Sequence, residues 1–184
     1  MYHHLPVLLE EVKKALEPHR GGHYADCTFG GGGHAEMLLN SSSPDGRVLA
    51  FDLDHDAILA AQNKFSSFGD RLMLIEDNFK NIRQHAVRLE VGLFDGILLD
   101  LGVSSHEFDT PERGMSFLHD GPLDMRFSRG QDITAAALVN SWPEKELEKL
   151  FRELGEERFS VSIAKAIIEA RRWKKFSGTL ELAD

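Results

Sequence analysis

Four short apolar runs fall within the first hundred residues, the first three each giving way to a helical pattern, and each run ends within two residues of an aspartate. The runs are Tyr24–Cys27, Arg47–Phe51, Leu72–Ile75 and Phe94–Leu99. Between them His34–Leu39, Ala57–Phe65 and Ile82–Leu89 repeat apolar residues at helical spacing, and Leu8–Leu16 does so ahead of the first run, stopping before Pro18. Strands separated by helices of this length form β-α-β units, whose right-handed crossovers make a parallel sheet. Ligands of such sheets sit beyond the carboxyl ends of the strands. Three of those ends carry an acid, Asp52, Asp77 and Asp100, and a fourth acid, Asp26, stands just ahead of the first strand's loop. The expected fold class is therefore α/β with a parallel sheet.

The chain's 184 residues, 42% hydrophobic, suffice for one such core. Its single cysteine, Cys27, excludes an intrachain disulfide and a cysteine-rich zinc site, and suits a reducing cytoplasm. Nine histidines without paired spacing predict no metal ligand set. No apolar run approaches the ~20 residues of a membrane span. The segment Met1–Pro6 lacks a basic region leading into an apolar stretch, so no signal peptide is expected.

Beyond Asp100 the pattern changes. Residues 102–130 are loop-rich. Ser141 and Glu144, at capping-box spacing around Pro143, predict a helix over Glu144–Leu154. A longer helix is expected from about Glu156 to Trp173, with Phe159, Ile163, Ile167 and Ala170 as its apolar stripe. The region has no strand signal and reads as a separate helical lobe over residues 106–184, after the first part of an α/β core over 1–105. Thr179 reads as the N-cap of a last helix that stops at Asp184 within its first turns. A four-strand sheet in a chain that stops there reads as a fragment.

The loop Asp26-Cys27-Thr28-Phe29-Gly30-Gly31-Gly32 has the form acid-x-Thr-x-Gly-x-Gly. Its glycines permit a tight turn and let a ligand reach the backbone. Gly30-x-Gly32-x-x-Ala35 also fits a dinucleotide fingerprint, so the loop alone admits either adenosylmethionine or a nicotinamide cofactor, or a plain strand–helix turn. Asp52 can accept hydrogen bonds from ribose hydroxyls of either cofactor. Asp77-Asn78-Phe79 offers a polar edge and an aromatic face for adenine, or merely a strand-end turn. Asp26 would repel a pyrophosphate, whereas adenosylmethionine carries a sulfonium and an amino group, so the acidic crevice favours it.

Asp100-Leu101-Gly102-Val103-Ser104-Ser105 follows the fourth strand, where a methyltransferase would present its substrate. An exocyclic amine on a base is a poor nucleophile because its lone pair is delocalised. A carboxylate accepting its N–H bonds draws the nitrogen toward tetrahedral geometry, and placement for in-line attack does most of the remaining work. Asp100 is the candidate acceptor; equally, it could only position the cofactor or cap the loop.

His4-x-Pro6-Val7-Leu8-Leu9-x-Glu11, the Asp26–His34 loop, Asp52-x-Asp54, Asp100–Ser105, Glu112-Arg113-Gly114, Asp120–Arg126, Gly155–Arg158 and Ile163–Ile167 occur in that order. Together these blocks closely resemble the bacterial small-subunit rRNA cytosine-N4 methyltransferases (the RsmH, formerly MraW, family). The resemblance covers nearly the whole chain. It implies a Rossmann-like class I methyltransferase core with an inserted helical lobe, adenosylmethionine as cofactor, and N4 of a cytidine in the P-site region of 16S rRNA, within the small ribosomal subunit, as target. The family's cofactor positions fall on Gly32, Gly33, His34, Asp52, Phe79 and Asp100, and a further one, usually Gln, falls on Glu107. The resemblance also implies that later strands and a basic C-terminal part lie beyond Asp184. Many amino-methyltransferases have an Asp-Pro-Pro-aromatic box where this chain has Asp100-Leu101-Gly102-Val103, so no stacking aromatic follows the acid. Phe108, Phe117 and Phe127 are nearby, with core packing the expected role of each.

The net charge of −9 argues, taken alone, against a nucleic-acid partner. Its distribution qualifies that: from Arg158 to Lys175 six basic residues face the single acid Glu169. Arg158, Lys165 and Arg172, spaced by seven, would share one helix face as an RNA-binding surface, with Arg171, Lys174 and Lys175 extending it. The alternative is a solvated face whose cations complement the helix dipole. Two other functions remain open, an NAD-dependent oxidoreductase using the glycine loop, and a catalytically inactive cofactor-binding fragment.

Overall fold

The structure, a computed structural model, describes residues 6–184, without the side chains of Ser105 and His106. His4 of the first block lies outside the described residues. The chain forms two compact units, Met1–Ser104 and Ser105–Asp184.

In the first unit α1 (Leu9–Leu16) leads into β1 (His23–Asp26), α2 (Gly33–Ser41), β2 (Arg47–Asp52), α3 (His55–Lys64), β3 (Leu72–Glu76), α4 (Ile82–Arg88) and β4 (Gly96–Leu98). All pairings are parallel, in the order β3-β2-β1-β4. This is a Rossmann-like arrangement, with the chain starting mid-sheet and winding outward both ways. Tyr24, Ala25 and Val48–Phe51 are fully buried because helices cover the central strands on both faces. Met37, Leu38 and Leu39 of α2 and Phe29 and Phe65 close that core, and Leu9, Val12 and Leu16 of α1 pack on it. Asp54 caps α3 by accepting from the Asp56 N–H at 3.1 Å.

The second unit is helical, with α5 (Ser105–Asp109), α6 (Ala135–Ser141), α7 (Glu144–Glu153), α8 (Ser160–Ala170) and α9 (Thr179–Ala183). Leu123, Val139, Leu147, Ala164 and Ile167 form its core. Helix α6 has no counterpart in the sequence reading, although Thr134 caps it by accepting from the Ala137 N–H at 3.1 Å. The capping box expected at Ser141 does not form. Ser141 ends α6, its hydroxyl donating back to the Ala137 carbonyl at 2.6 Å, and Pro143 occupies the N-cap of α7. The long helix expected from Glu156 is shorter: Glu156 takes a left-handed φ of 51°, and α8 starts only at Ser160. Its buried stripe is Ser160, Ala164 and Ile167, while Phe159 is 70% exposed, so the expected stripe was set one position off at its start. Gly178, not Thr179, is the N-cap of α9. Thr179 is the first helical residue and is buried, its hydroxyl accepting from Gly121 N–H at 3.1 Å.

Candidate functional site

Sheet register brings the acids together. Asp26 at the end of β1 lies opposite Ala50 of β2 and Leu98 of β4, so Asp52 and Asp100 each stand two residues further along the neighbouring strands. The loop after β1 passes between them. Its Gly30 N–H donates to Asp52 Oδ2 at 2.7 Å, and Thr28 Oγ1 accepts from the Asp100 N–H at 2.7 Å. Asp52 Oδ1 accepts from the Asp54 N–H at 2.8 Å, holding the entry to α3. One carboxylate thus organises two backbone segments.

Gly32 is the N-cap of α2 at φ 78°, a conformation that favours glycine. A Cβ there would meet the Phe65 ring at 2.5 Å and the Phe29 ring at 2.6 Å. At Gly30, φ 51°, a Cβ would point into open space, with nothing nearer than the Thr28 carbonyl oxygen at 4.0 Å. The loop is packed tightly beneath and open above. His34, in the first turn of α2, is buried, with Nε2 3.7 Å from Oδ2 of the half-exposed Asp100.

Asp26 is 0% exposed. Its Oδ1 accepts from the Thr28 N–H at 3.1 Å, while Oδ2 has no hydrogen-bond partner among the described residues. Burial, reinforced by the charges of Asp52 and Asp100, pushes its pKa up to about 7, against the opposing backbone bonds from Thr28 and Ala35. Burial, and then Asp26 itself, likewise raises the Cys27 thiol to about 11, so Cys27 is an inert core residue at neutral pH.

The structure thus gathers Gly32, Gly33, His34, Asp52 and Asp100 around one loop at the carboxyl ends of β1, β2 and β4. Phe79 opens the turn after β3, on the same edge of the sheet, and is half-buried. Asp77 is committed elsewhere. It accepts from Asn78 N–H, from Asn81 Nδ2, and pairs with His85 Nε2 at 2.7 Å. The His85 bond above all holds its pKa below the usual carboxylate range. His85 packs edge-on against Phe51, so Asp77 ties α4 to β3.

Glu107 lies in the second unit, buried and paired with Arg113 at 3.4 Å. Phe108, Phe117 and Phe127 are exposed, not packed in the core as expected; the large apolar side chains that their loop-rich segment buries are Met115 and Leu123. Arg158, Lys165 and Arg172 are all exposed, but only Lys165 belongs to α8; the other two flank it. Arg171 is not part of that surface: its guanidinium donates to the Val139 and Trp142 carbonyls at 2.8 and 2.7 Å, ending α6. Lys174 pairs with Glu181 at 2.7 Å. Sequence reasoning missed the partners of Asp77, although Asn81 and His85 stand only four and eight residues on, and those of Arg171, which are backbone carbonyls at the distant end of α6. No His/Cys/Asp/Glu group suited to a metal occurs among the described residues, and no described helix is long and apolar enough to cross a membrane.

A parallel sheet with a glycine loop and acids at its switch point defines an α/β cofactor-binding chain of the methyltransferase type. The profile of the MraW methylase family matches residues 1–184, and the chain belongs to that family. It is 49% identical over 183 residues to a protein of Symbiobacterium thermophilum named Ribosomal RNA small subunit methyltransferase H. It is 48% identical over 183 residues to proteins of the same name from Geobacter sp. strain M21 and Carboxydothermus hydrogenoformans. Each match covers 100% of this chain and 58% or 59% of the relative, so the chain spans about three-fifths of the length of the curated relatives it matches.

Proposed function

We propose that this chain carries the cofactor site of an adenosylmethionine-dependent methyltransferase acting on N4 of a cytidine in the P-site region of 16S rRNA, within the small ribosomal subunit and hence in the cytoplasm. One observation carries the cofactor assignment: Asp26, Asp52 and Asp100 surround the glycine loop from adjacent strands, with a buried carboxyl oxygen of Asp26 left without a partner. That charge pattern suits a cation and opposes a pyrophosphate, which disfavours a nicotinamide dinucleotide. When bound, adenosylmethionine supplies an electrophilic methyl group on its sulfonium. Gly32, Gly33 and His34 would hold it through the start of α2, Asp52 through its ribose hydroxyls, and Phe79 through the adenine face. Glu107 is the remaining contact by resemblance. Asp100 accepts an N–H of the target amine and draws its lone pair out of conjugation, with His34 beside it restricting the carboxylate's rotation.

The second unit is read as a lobe inserted in the core, with Arg158, Lys165 and Arg172 contacting RNA phosphates. Relatives named for the small-subunit rRNA support this target, and the exposure of all three cations is compatible with it. The test is a methyl-transfer assay with labelled adenosylmethionine on undermethylated small subunits, using this chain and its form extended to the length of its relatives. Methyl incorporation at one cytidine N4 by the extended form is expected. Calorimetric titration of the chain with adenosylhomocysteine and with NADH decides the cofactor, and binding of NADH alone would overturn the assignment. Binding of adenosylhomocysteine with no transfer by either form would make the chain a binding module.

A further inference from the structure

Trp173 is 92% exposed, the most exposed of the large apolar side chains in the described residues. The chain's other tryptophan, Trp142, packs against the second unit's core. A single exposed apolar side chain is ordinary, so the case rests on how this indole is held and what surrounds it. It is not displayed on a frayed end. Trp173 and Lys174 N–H groups both donate to the Ala170 carbonyl, at 3.0 and 3.2 Å, closing a tight turn after α8. Arg171 fastens the start of that turn to the end of α6 through the Val139 and Trp142 carbonyls. Asn140 fastens its far end, accepting from the Phe176 N–H at 3.0 Å and donating to the Phe176 carbonyl at 2.8 Å. The side chain is thus presented from a backbone held at both ends.

The surroundings select the partner. Arg172 and Glu169 line, with Trp173, a shallow depression of about 300 Å³, room for one nucleobase. Lys165 stands one turn before Glu169 on the same helix face, and Lys175 follows, both exposed. Glu169 is the single acid between Arg158 and Lys175. A flat apolar ring among cations matches an anionic chain carrying flat rings, which is a single-stranded RNA with an unstacked base. We propose that Trp173 is a stacking platform for one unpaired base of the RNA, and that Arg172, Lys165 and Lys175 hold the flanking phosphates. The inference rests on the RNA-binding reading above and adds an attachment point for a base that is not itself methylated.

The test uses the whole chain and a fluorescein-labelled, unstructured 12-nucleotide RNA of mixed adenosine and cytidine, with a duplex of the same length for comparison. Affinity is measured against salt concentration, alongside tryptophan emission. Stacking predicts that the single strand quenches the emission and that the quench disappears in W173F, whose ring still stacks. W173A should weaken single-strand binding about five- to a hundredfold with an unchanged salt slope, W173F should lose far less, and duplex binding should hardly respond. K165E/R172E should instead reduce the salt slope. If W173A binds single strands as tightly as the unaltered chain while K165E/R172E binds weakly, stacking is wrong and phosphate binding stands. If the unaltered chain binds neither RNA, the RNA reading itself falls. If Trp173 is shielded from acrylamide without RNA in the form extended to the relatives' length, or if W173A turns an oligomer into a monomer, the ring serves a protein contact and the proposal is overturned.

Discussion

Replacing Asp26 by asparagine should change how the first unit's stability depends on pH. The carboxyl is fully buried, and its pKa rises from 3.8 to about 7 on folding. Because the folded value lies above the unfolded one, the protonated form is the one folding favours. Stability from this group is complete below about pH 4 and is lost as pH climbs through 7. Carrying the charge in the folded state costs about 4 kcal/mol in full, and between about pH 6 and pH 8.5 the loss is roughly 1.4 kcal/mol. Asparagine keeps the oxygen that accepts from Thr28 but sets an amide N–H₂ where Oδ2 has no partner, a pH-independent cost of about 1–3 kcal/mol. Relative to its low-pH state the unaltered chain has already lost about 3 kcal/mol at pH 6, so D26N should be at least as stable there and should gain about a further 1.4 kcal/mol on it by pH 8.5. Hydrogen exchange of the β1 and β2 amides reads this directly, since both strands sit in the core that surrounds Asp26. The second unit's amides serve as the reference. Parallel pH profiles for the two proteins would refute the raised pKa and, with it, the claim that burial dominates the backbone bonds at this carboxyl.

Three further outcomes are expected. Adenosylmethionine should displace the Asp26 proton on binding near neutral pH, so its calorimetric heat should track the buffer's ionisation enthalpy, and D26N should abolish that dependence. G32A should destabilise the first unit by about 2–4 kcal/mol, through a left-handed alanine plus displaced Phe29 and Phe65 rings, whereas G30A should cost only about 1–2 kcal/mol, as read by denaturant melts. R171M should destabilise the second unit by about 2 kcal/mol by stripping two carbonyls at the end of α6, while R172M should leave stability within about 0.5 kcal/mol, followed by tryptophan emission.

The sheet was legible because each of its signals is local. Apolar runs of strand length alternate with helical periodicity; the order β3-β2-β1-β4 was not legible, because crossover handedness fixes the hand of each connection and not which neighbour a strand takes. The acids at the strand ends were legible for the same reason: Asp52 and Asp100 stand at one fixed place in a repeating unit. What escaped was which partner each polar side chain takes. Asp77 looks like Asp52 in the sequence, yet Asn81, the N-cap of α4, and His85 within that helix absorb it. Arg171 looks like one more cation in a basic run, yet the carbonyls of Val139 and Trp142 bind it. Ser141 and Glu144 satisfied a capping pattern that tertiary structure overrode, because α6 already used the serine as its last residue. The short helix α6 left little periodicity to detect, and its Thr134 cap stood unnoticed in a loop-rich stretch.

On the proposed reading, the three carboxylates would make this crevice select its ligand by charge as much as by shape. Asp26 cannot be ionised without cost while Asp52 and Asp100 are, because burial removes the water that would screen them. Thr28 and Gly30 relieve part of that repulsion by tying Asp100 and Asp52 to the loop through backbone bonds, but neither bond brings a positive charge. His34, 3.7 Å from Asp100, can do so when protonated, and Lys64 brings a charge to the loop itself, its Nζ donating to the Gly31 carbonyl at 3.0 Å. A bound cation would supply what the protein withholds: it would stabilise three carboxylates at once, let Asp26 ionise, and stiffen the loop that carries Gly32 and Gly33. The demethylated thioether product, still zwitterionic, would lose the sulfonium's share of that attraction, so the electrostatics that would draw a cationic donor in would also favour release of the spent cofactor.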